Sequence, residues 1–232
     1  FSEGSNFYAF RTIHNRGKHR IGHMVTHADK SMIDRQATVN TVDYQYISDS
    51  GVKIENITML SNISDEKSGI GSRSRAEYRP SKEWMYASEI YYFDEDLNIN
   101  DMGYLWRNNL LAYGASVNYS RTEFDADSPS KSRSYNFDYW DQNNADHENL
   151  DQFYSFNMWQ SFKTTSNISI NANLSSKGKD DEITRGSLVS PFLRTGNGGN
   201  IDFSYRSPQL GPWKYSFGIG LERKNYYAYT DR

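Results

Sequence analysis

Period-two alternation between apolar and polar residues, broken at short intervals by turn signals, constrains this chain more than any other feature. From Leu111 one parity reads Leu111, Tyr113, Ala115, Val117 and Tyr119, and the other reads Leu110, Ala112, Gly114, Ser116, Asn118 and Ser120. Successive strand side chains point to opposite faces, so this stretch has an apolar face with a tyrosine near each end and a small, mostly polar face. The cleanest repeat of the pattern sets Ile168, Ile170, Ala172 and Leu174 against Ser169, Asn171, Asn173 and Ser175. The last segment sets Trp213, Tyr215, Phe217, Ile219 and Leu221 against Lys214, Ser216, Gly218, Gly220 and Glu222.

Reading the whole chain this way predicts roughly thirteen strands and no amphipathic helix. They cover 6–14, 19–27, 37–48, 51–62, 69–79, 83–93, 111–121, 132–143, 150–162, 166–176, 184–195, 200–207 and the stretch from Trp213. The 184–195 strand is weakened by Pro191, which removes a ladder donor. Tight hairpins are expected at Asn15–Lys18, with Gly17 at positive φ, and at Asp49–Ser50 ahead of Gly51. Short turns at 49–50 and 80–82 alternate with longer polar connections at 28–36, 63–68, 94–105 and 124–131. Short turns on one rim and long loops on the other is the pattern of an outer-membrane barrel.

A strand with two such faces can lie over the core of a soluble sandwich, or meet lipid on one side and a wet lumen on the other. Composition chooses between them. The 232 residues are 36% hydrophobic and 15% aromatic, with 18 Tyr, 12 Phe and 5 Trp, and mean hydropathy is -0.85. A sandwich of this length needs Val, Ile and Leu to fill its centre, whereas here aromatics supply much of the apolar content and the core looks underfilled. A transmembrane barrel removes the shortage, because its outer band needs only alternate residues. No run approaches the roughly 18 apolar residues of a spanning helix.

Cysteine is absent, which removes disulfides and thiolate metal sites, and the net charge of -3 with interspersed signs gives no nucleic-acid surface. No linker or charge run splits the chain, so a single domain over 1–232 is expected. Because it starts at Phe1 without a signal peptide, it is expected to be a piece of a longer exported protein.

One segment carries more than strand rhythm. N-D-M-G-Y-L-W-R-N-N-L from Asn100 to Leu110, preceded by the Y-x-x-x-S-G-V hairpin at Tyr46–Val52 and the P-S-K-E-W turn at Pro80–Trp84, resembles an uncharacterised bacterial outer-membrane β-barrel family, domain of unknown function 5916. That family commonly follows a carbohydrate-binding, family-nine-like module. The ordered resemblance covers roughly the first half of the chain, with the N-D-M-G-[FY]-L-x-R-N piece as its specific part. It implies Gram-negative outer-membrane location and porin-like architecture, and no catalytic residue carries over. Barrels of this kind usually finish on an aromatic residue, whereas this chain ends Thr230, Asp231, Arg232, so further strands at the carboxyl end and an upstream module are expected.

Several constellations invite chemistry. His19, His23 and His27 share a face, but residues four apart on a strand lie about 13 Å apart, too far for two ligands of one ion, and they read as surface or rim histidines. Asp94, Asp96 and Asn98, with Asp101 nearby, match the start of a calcium loop, yet Ile99 stands at the glycine position and Leu105 at the bidentate glutamate position. Calcium is therefore a weak candidate, and no other cofactor is expected. Asn100, Asp101, Gly103, Trp106, Arg107, Asn108 and Asn109 are expected to form a polar network at the rim or in the lumen, with Arg107 pairing Asp94, Asp96 or Asp101. Trp84, Tyr92, Tyr113, Tyr119 and Trp213 are expected to form aromatic girdles at the membrane interfaces, sugar-stacking platforms being the other reading. Serine and asparagine are too plentiful for pairing with His14 or His147 to point to a hydrolase.

The expectation is thus an all-β, antiparallel transmembrane barrel, an incomplete portion of about 12–14 strands. It would sit in outer-membrane lipid as the anchor of a carbohydrate-binding protein, with a pore left open as a second role. Its partners would be lipid and, through an absent upstream module, glycans, with no nucleic acid. The alternative is a soluble, tyrosine-rich all-β module that binds glycans, and a barrel-embedded hydrolase ranks third.

Overall fold

The computed structural model describes residues 4–145, 147–180, 193–223 and 227–229. The alternating segments form ten long strands: β1 (Asn6–Arg16), β2 (His19–Lys30), β3 (Arg35–Ile47), β4 (Val52–Ile63), β5 (Gly69–Tyr78), β6 (Trp84–Phe93), β7 (Leu110–Arg121), β8 (Ser130–Asn143), β9 (Asn149–Phe162) and β10 (Asn167–Ser175). They are followed by β11 (Gly178–Asp180), β12 (Leu193–Thr195), β13 (Gly198–Arg206), β14 (Ser216–Arg223) and β15 (Tyr227–Tyr229). Among the described residues the only helical element is one 3-10 turn, Ser31–Ile33, inside the connection expected to be irregular. Of the strand expected over 184–195, all but Leu193–Thr195 lies outside the described residues, Pro191 included.

Strands β1 to β10, β13 and β14 are hydrogen-bonded in that order in a twelve-stranded sheet, while β11, β12 and β15 form a separate three-stranded one. The all-β, antiparallel class is therefore the observed one. The closed barrel is not found: β1 and β14 stand at the two ends of the order, and no ladder joins them among the described residues. Closure requires the first and last strands to exchange hydrogen bonds, and here each has one neighbour.

The chain divides into two compact units, one of Phe1–Tyr78, Ser88–Tyr113 and Asn143–His147, the other of Arg79–Ala87, Gly114–Gln142 and Glu148–Arg232. In the first, register aligns Val25 with Asn40, Asn40 with Leu60 and Leu60 with Ile70, so like parities meet across four strands. This face carries Ile21, Val42, Ile54, Leu60, Ile70, Ile90 and Tyr92, all exposed. The opposite face aligns Gly22 with Asp43, Asp43 with Ile57 and Ile57 with Arg73, and is rich in charge. In the second unit Ala172 stands between Phe156 and Ile201, and Ile201 opposite Leu221. Its other parity pairs Asn171 with Asn157 and Asp202, and Asp202 with Gly220.

Turn chemistry follows the residues. Gly17 and Gly51 take φ of 58° and 84° in the first two hairpins, the left-handed region that such tight turns demand. The connection expected over 124–131 does not share a rim with the long loops. It leaves β7 beside the Pro80–Lys82 turn, where Ser120 N donates to Glu83 O at 2.8 Å. Consecutive antiparallel connections alternate edges, so the long 94–109 segment at one end of β7 forces 122–129 to the other.

The core of the first unit is a slot rather than a layer. Leu97, 1% exposed, enters a recess left by Ser61, Gly69 and Gly71, and a Cβ on Gly71 would collide with the Leu97 and Phe93 side chains. Ser61 faces Gly69 across the β4–β5 ladder, so two small residues make the room. Leu97→Ala is expected to cost about 2–5 kcal/mol, and Gly71→Val about 1–3 kcal/mol or more, each read as a fall in the urea unfolding midpoint. A midpoint unchanged in both would remove the slot as a source of stability.

Candidate functional site

The segment 94–109 between β6 and β7 is bound down at both ends. Asp94 exchanges bonds with the edge of β5: its backbone N donates to Ile70 O at 3.1 Å, and its Oδ2 accepts from Ile70 N at 2.7 Å. Asn109 N donates to Asp94 O at 3.1 Å, so the segment's ends meet and close a loop. Asn109 adopts φ 52°, a conformation asparagine tolerates, and its side-chain oxygen accepts from Ala145 N at 2.7 Å. Asn108 Nδ2 donates to Glu95 O at 2.6 Å across the loop.

Between these ends the asparagines stand in for backbone partners. Asn98 N donates to the Ser61 hydroxyl at 3.1 Å, Asn100 N to Asn98 Oδ1 at 3.2 Å and Leu105 N to Asn100 Oδ1 at 2.7 Å. Gly103 lies close over Ile99 O, and Arg107 is buried. Trp106 and Tyr104 point outward, with Tyr104 82% exposed.

Asp101 is the electrostatic centre. Its carboxylate, 6% exposed, accepts from Lys30 Nζ at 2.6 Å and from Arg35 Nε and Nη2 at 3.0–3.1 Å. Arg35 also reaches Glu66 at 2.5 Å, and Asn98 Nδ2 reaches the same carboxylate at 3.5 Å. Three connections, 31–34, 64–68 and 94–109, are thereby tied together. Burial raises the Asp101 carboxyl, the Arg35 and Lys30 hydrogen bonds lower it further, and the net displacement is below the ordinary aspartate range.

Two of the cations on Asp101 come from far along the chain, Lys30 of β2 and Arg35 of β3, 71 and 66 residues away. Of the calcium candidates, Asp94 accepts from Ile70 N, Asp101 holds two cations and Asn98 donates to Glu66. Among the described residues no three His, Cys, Asp or Glu are grouped to hold a metal ion. His19 and His27 are each hydrogen-bonded to a neighbour on β3, Tyr44 and Thr38, at 2.8 Å.

A second polar cluster lies mid-strand in the first unit. Arg11 reaches over Gly22 to Asp43 at 2.9 Å, Lys53 and Gln45 hold Glu55 at 2.9 and 2.8 Å, and Arg73 and Arg75 share Glu89. The girdle candidates are divided between the units. Tyr92 and Tyr113 are exposed in the first. In the second, Trp84 contacts Tyr86 and Tyr119 at ring separations of 5.9 and 4.8 Å, and Tyr119 contacts Tyr135 at 5.8 Å. Trp213 lies in the β13–β14 connection, 65% exposed.

Comparison with protein families adds one finding: residues 21–186 match the domain of unknown function DUF5916. The chain belongs to the DUF5916 family. The match runs from β2 past β10 and so reaches well beyond the first half of the chain to which the motif had pointed. Neither curated proteins nor solved structures give a match. Within this DUF5916 domain, Lys30, Arg35, Ser61 and Glu66 are the partners of the motif that sequence reasoning missed. Their only signal is that each sits where a strand gives way to a polar connection on the edge shared with 94–109.

Asp101→Asn removes the charge that gathers two cations and is expected to cost about 1–3 kcal/mol at neutral pH. The folded-state carboxyl is lowered, so its contribution is complete above the unfolded value of about 4 and is lost as pH falls through the folded one. Urea midpoints measured from pH 7 down to pH 2 should therefore fall more steeply below about pH 4 for the unaltered chain than for the variant. Parallel curves would contradict this assignment.

Proposed function

We propose that this chain forms part of the wall of an antiparallel transmembrane β-barrel in a bacterial outer membrane, with the apolar parity of each strand against lipid and the charged parity facing a wet lumen. The observation that carries the proposal is the inversion of faces. Ile90 is 53% exposed and Ile219 60%, whereas Ala87 and Ala112 are buried and the buried polar groups include Ser61, Asp141 and Gln160. In water each large apolar side chain left uncovered forgoes about 1.5–3 kcal/mol, and lipid is the partner that covers a whole sheet face at once. Strand length agrees: β1 to β10 run from 9 to 14 residues, and a tilted membrane strand needs about 9–11. In this reading the chain anchors an exported protein that also carries a carbohydrate-binding module. The ion-paired polar face makes a solute path through the lumen the second role.

The absence of cysteine allows a direct test. Single cysteines placed at Ile90, Tyr91 and Tyr92 and labelled with a nitroxide should alternate, positions 90 and 92 quenched by oxygen dissolved in lipid and position 91 by a water-soluble nickel complex. The intact protein should also need detergent and migrate differently on gels when unheated. A compact monomer that dissolves without detergent, with all three labels accessible to nickel, would overturn the proposal.

The run of rings Tyr86, Trp84, Tyr119 and Tyr135 favours one second reading, a soluble module that stacks glycans on the exposed Trp84 and Tyr86, with the half-buried Tyr119 and Tyr135 behind them. Binding to a glycan array without detergent, lost in Trp84→Ala, would establish it. No binding would leave the rings as interface residues.

A further inference from the structure

The mid-strand cluster of the first unit borders a half-open cavity of about 160 Å³, lined by Arg20, Asp43, Gln45, Glu55, Arg73 and Arg75. Its charges are not balanced locally. Asp43 is drawn away across Gly22, where a Cβ would overlap its carboxylate, and pairs with Arg11. Glu55 is taken by Lys53 and Gln45, Arg73 leans on Glu89, and Arg75 is shared between Glu89 and Glu77. Arg20 is left over. Its Nε is enclosed without a hydrogen-bond partner, and no ion pair involves Arg20 among the described residues.

An enclosed guanidinium edge with no acceptor is costly, because desolvation is paid and no hydrogen bond is gained. Water can supply some of that, and the cavity has space for several molecules at about 30 Å³ each. A small oxyanion answers the site better. It matches the planar fork of Arg20, cancels the excess positive charge, and presents oxygens to Arg73 and Arg75 on the same wall. Gln45 adds a side-chain amide on that wall.

We infer that this cavity is an oxyanion-binding site, built to take a carboxylate or phosphate group of a small solute with Arg20 as the principal contact. It lies on the polar face, so it does not depend on what covers the apolar one. If that face lines a lumen, Arg20 is the residue at which anionic solutes pause, and the inference then supplies a substrate class for the path.

Isothermal titration of the full chain with sodium acetate and, separately, sodium phosphate at constant chloride tests this. The chain would be held in detergent micelles, or in buffer if it dissolves there, so that the outcome stays separate from the membrane reading. Saturable binding of at least one anion is expected, weakened about tenfold or more in Arg20→Gln and unchanged in Arg16→Gln, which removes the same charge from a hairpin end. Acetate alone would identify carboxylate solutes, and phosphate alone phosphorylated ones. A measurement on the unaltered chain covers the case in which Arg20→Gln does not fold: phenylglyoxal modification of Arg20, read by peptide mass spectrometry, should slow in the bound anion while that of Arg16 does not. No saturable binding of either anion, equal affinity in the two variants, or equal modification rates would overturn the site.

Discussion

Register in the antiparallel ladder is the constraint on which everything else in this chain depends. Each strand residue faces the opposite way from its neighbour, so a slip of one position would exchange the two faces of a whole strand. The pairings avoid that over long distances: Ile21 stands against Tyr44, Tyr44 against Asn56, and Leu60 against Ile70, while Asp43, Ile57 and Arg73 share the other side. Two chemically different faces result. One is aromatic and aliphatic and exposed, and the other is charged and crowded.

Crowding on the charged face is relieved by small residues, and they decide where long side chains can go. Gly22 lets Asp43 reach across β2 to Arg11, and Ser61 with Gly69 and Gly71 opens the recess for Leu97. The 94–109 segment therefore has two kinds of attachment, an apolar plug at Leu97 and a charged clasp at Asp101. Both hold a long connection, at the end of a sheet, in one conformation.

Much of this was legible in the residues. Strand limits follow from alternation to within a few positions, as at β6, where Trp84, Tyr86, Ile90 and Tyr92 lie on the expected side. Hairpin turns follow from Gly17 and Gly51, and the motif was recognisable from Asn100 to Leu110 as a family feature. The partners of Asp101 were not legible, because a carboxylate in a loop declares its charge and not its neighbours. Lys30 and Arg35 hold it from 71 and 66 residues away, a distance along the chain that no local pattern spans. Likewise the 122–129 connection looked like the other long loops by length, and only strand order shows which edge it occupies.

The sequence by itself determined the class of this protein, its strand positions and the polarity of each parity, because those depend on spacings of two residues. Tertiary structure alone decided which distant segments meet: Leu97 with Gly71, Asp101 with Arg35, and Arg20 with a wall of cations and spent carboxylates. Those contacts depend on the cumulative register of several ladders and on where glycine leaves room. A one-residue difference in any hairpin would redirect them without changing the alternation that announces the strands.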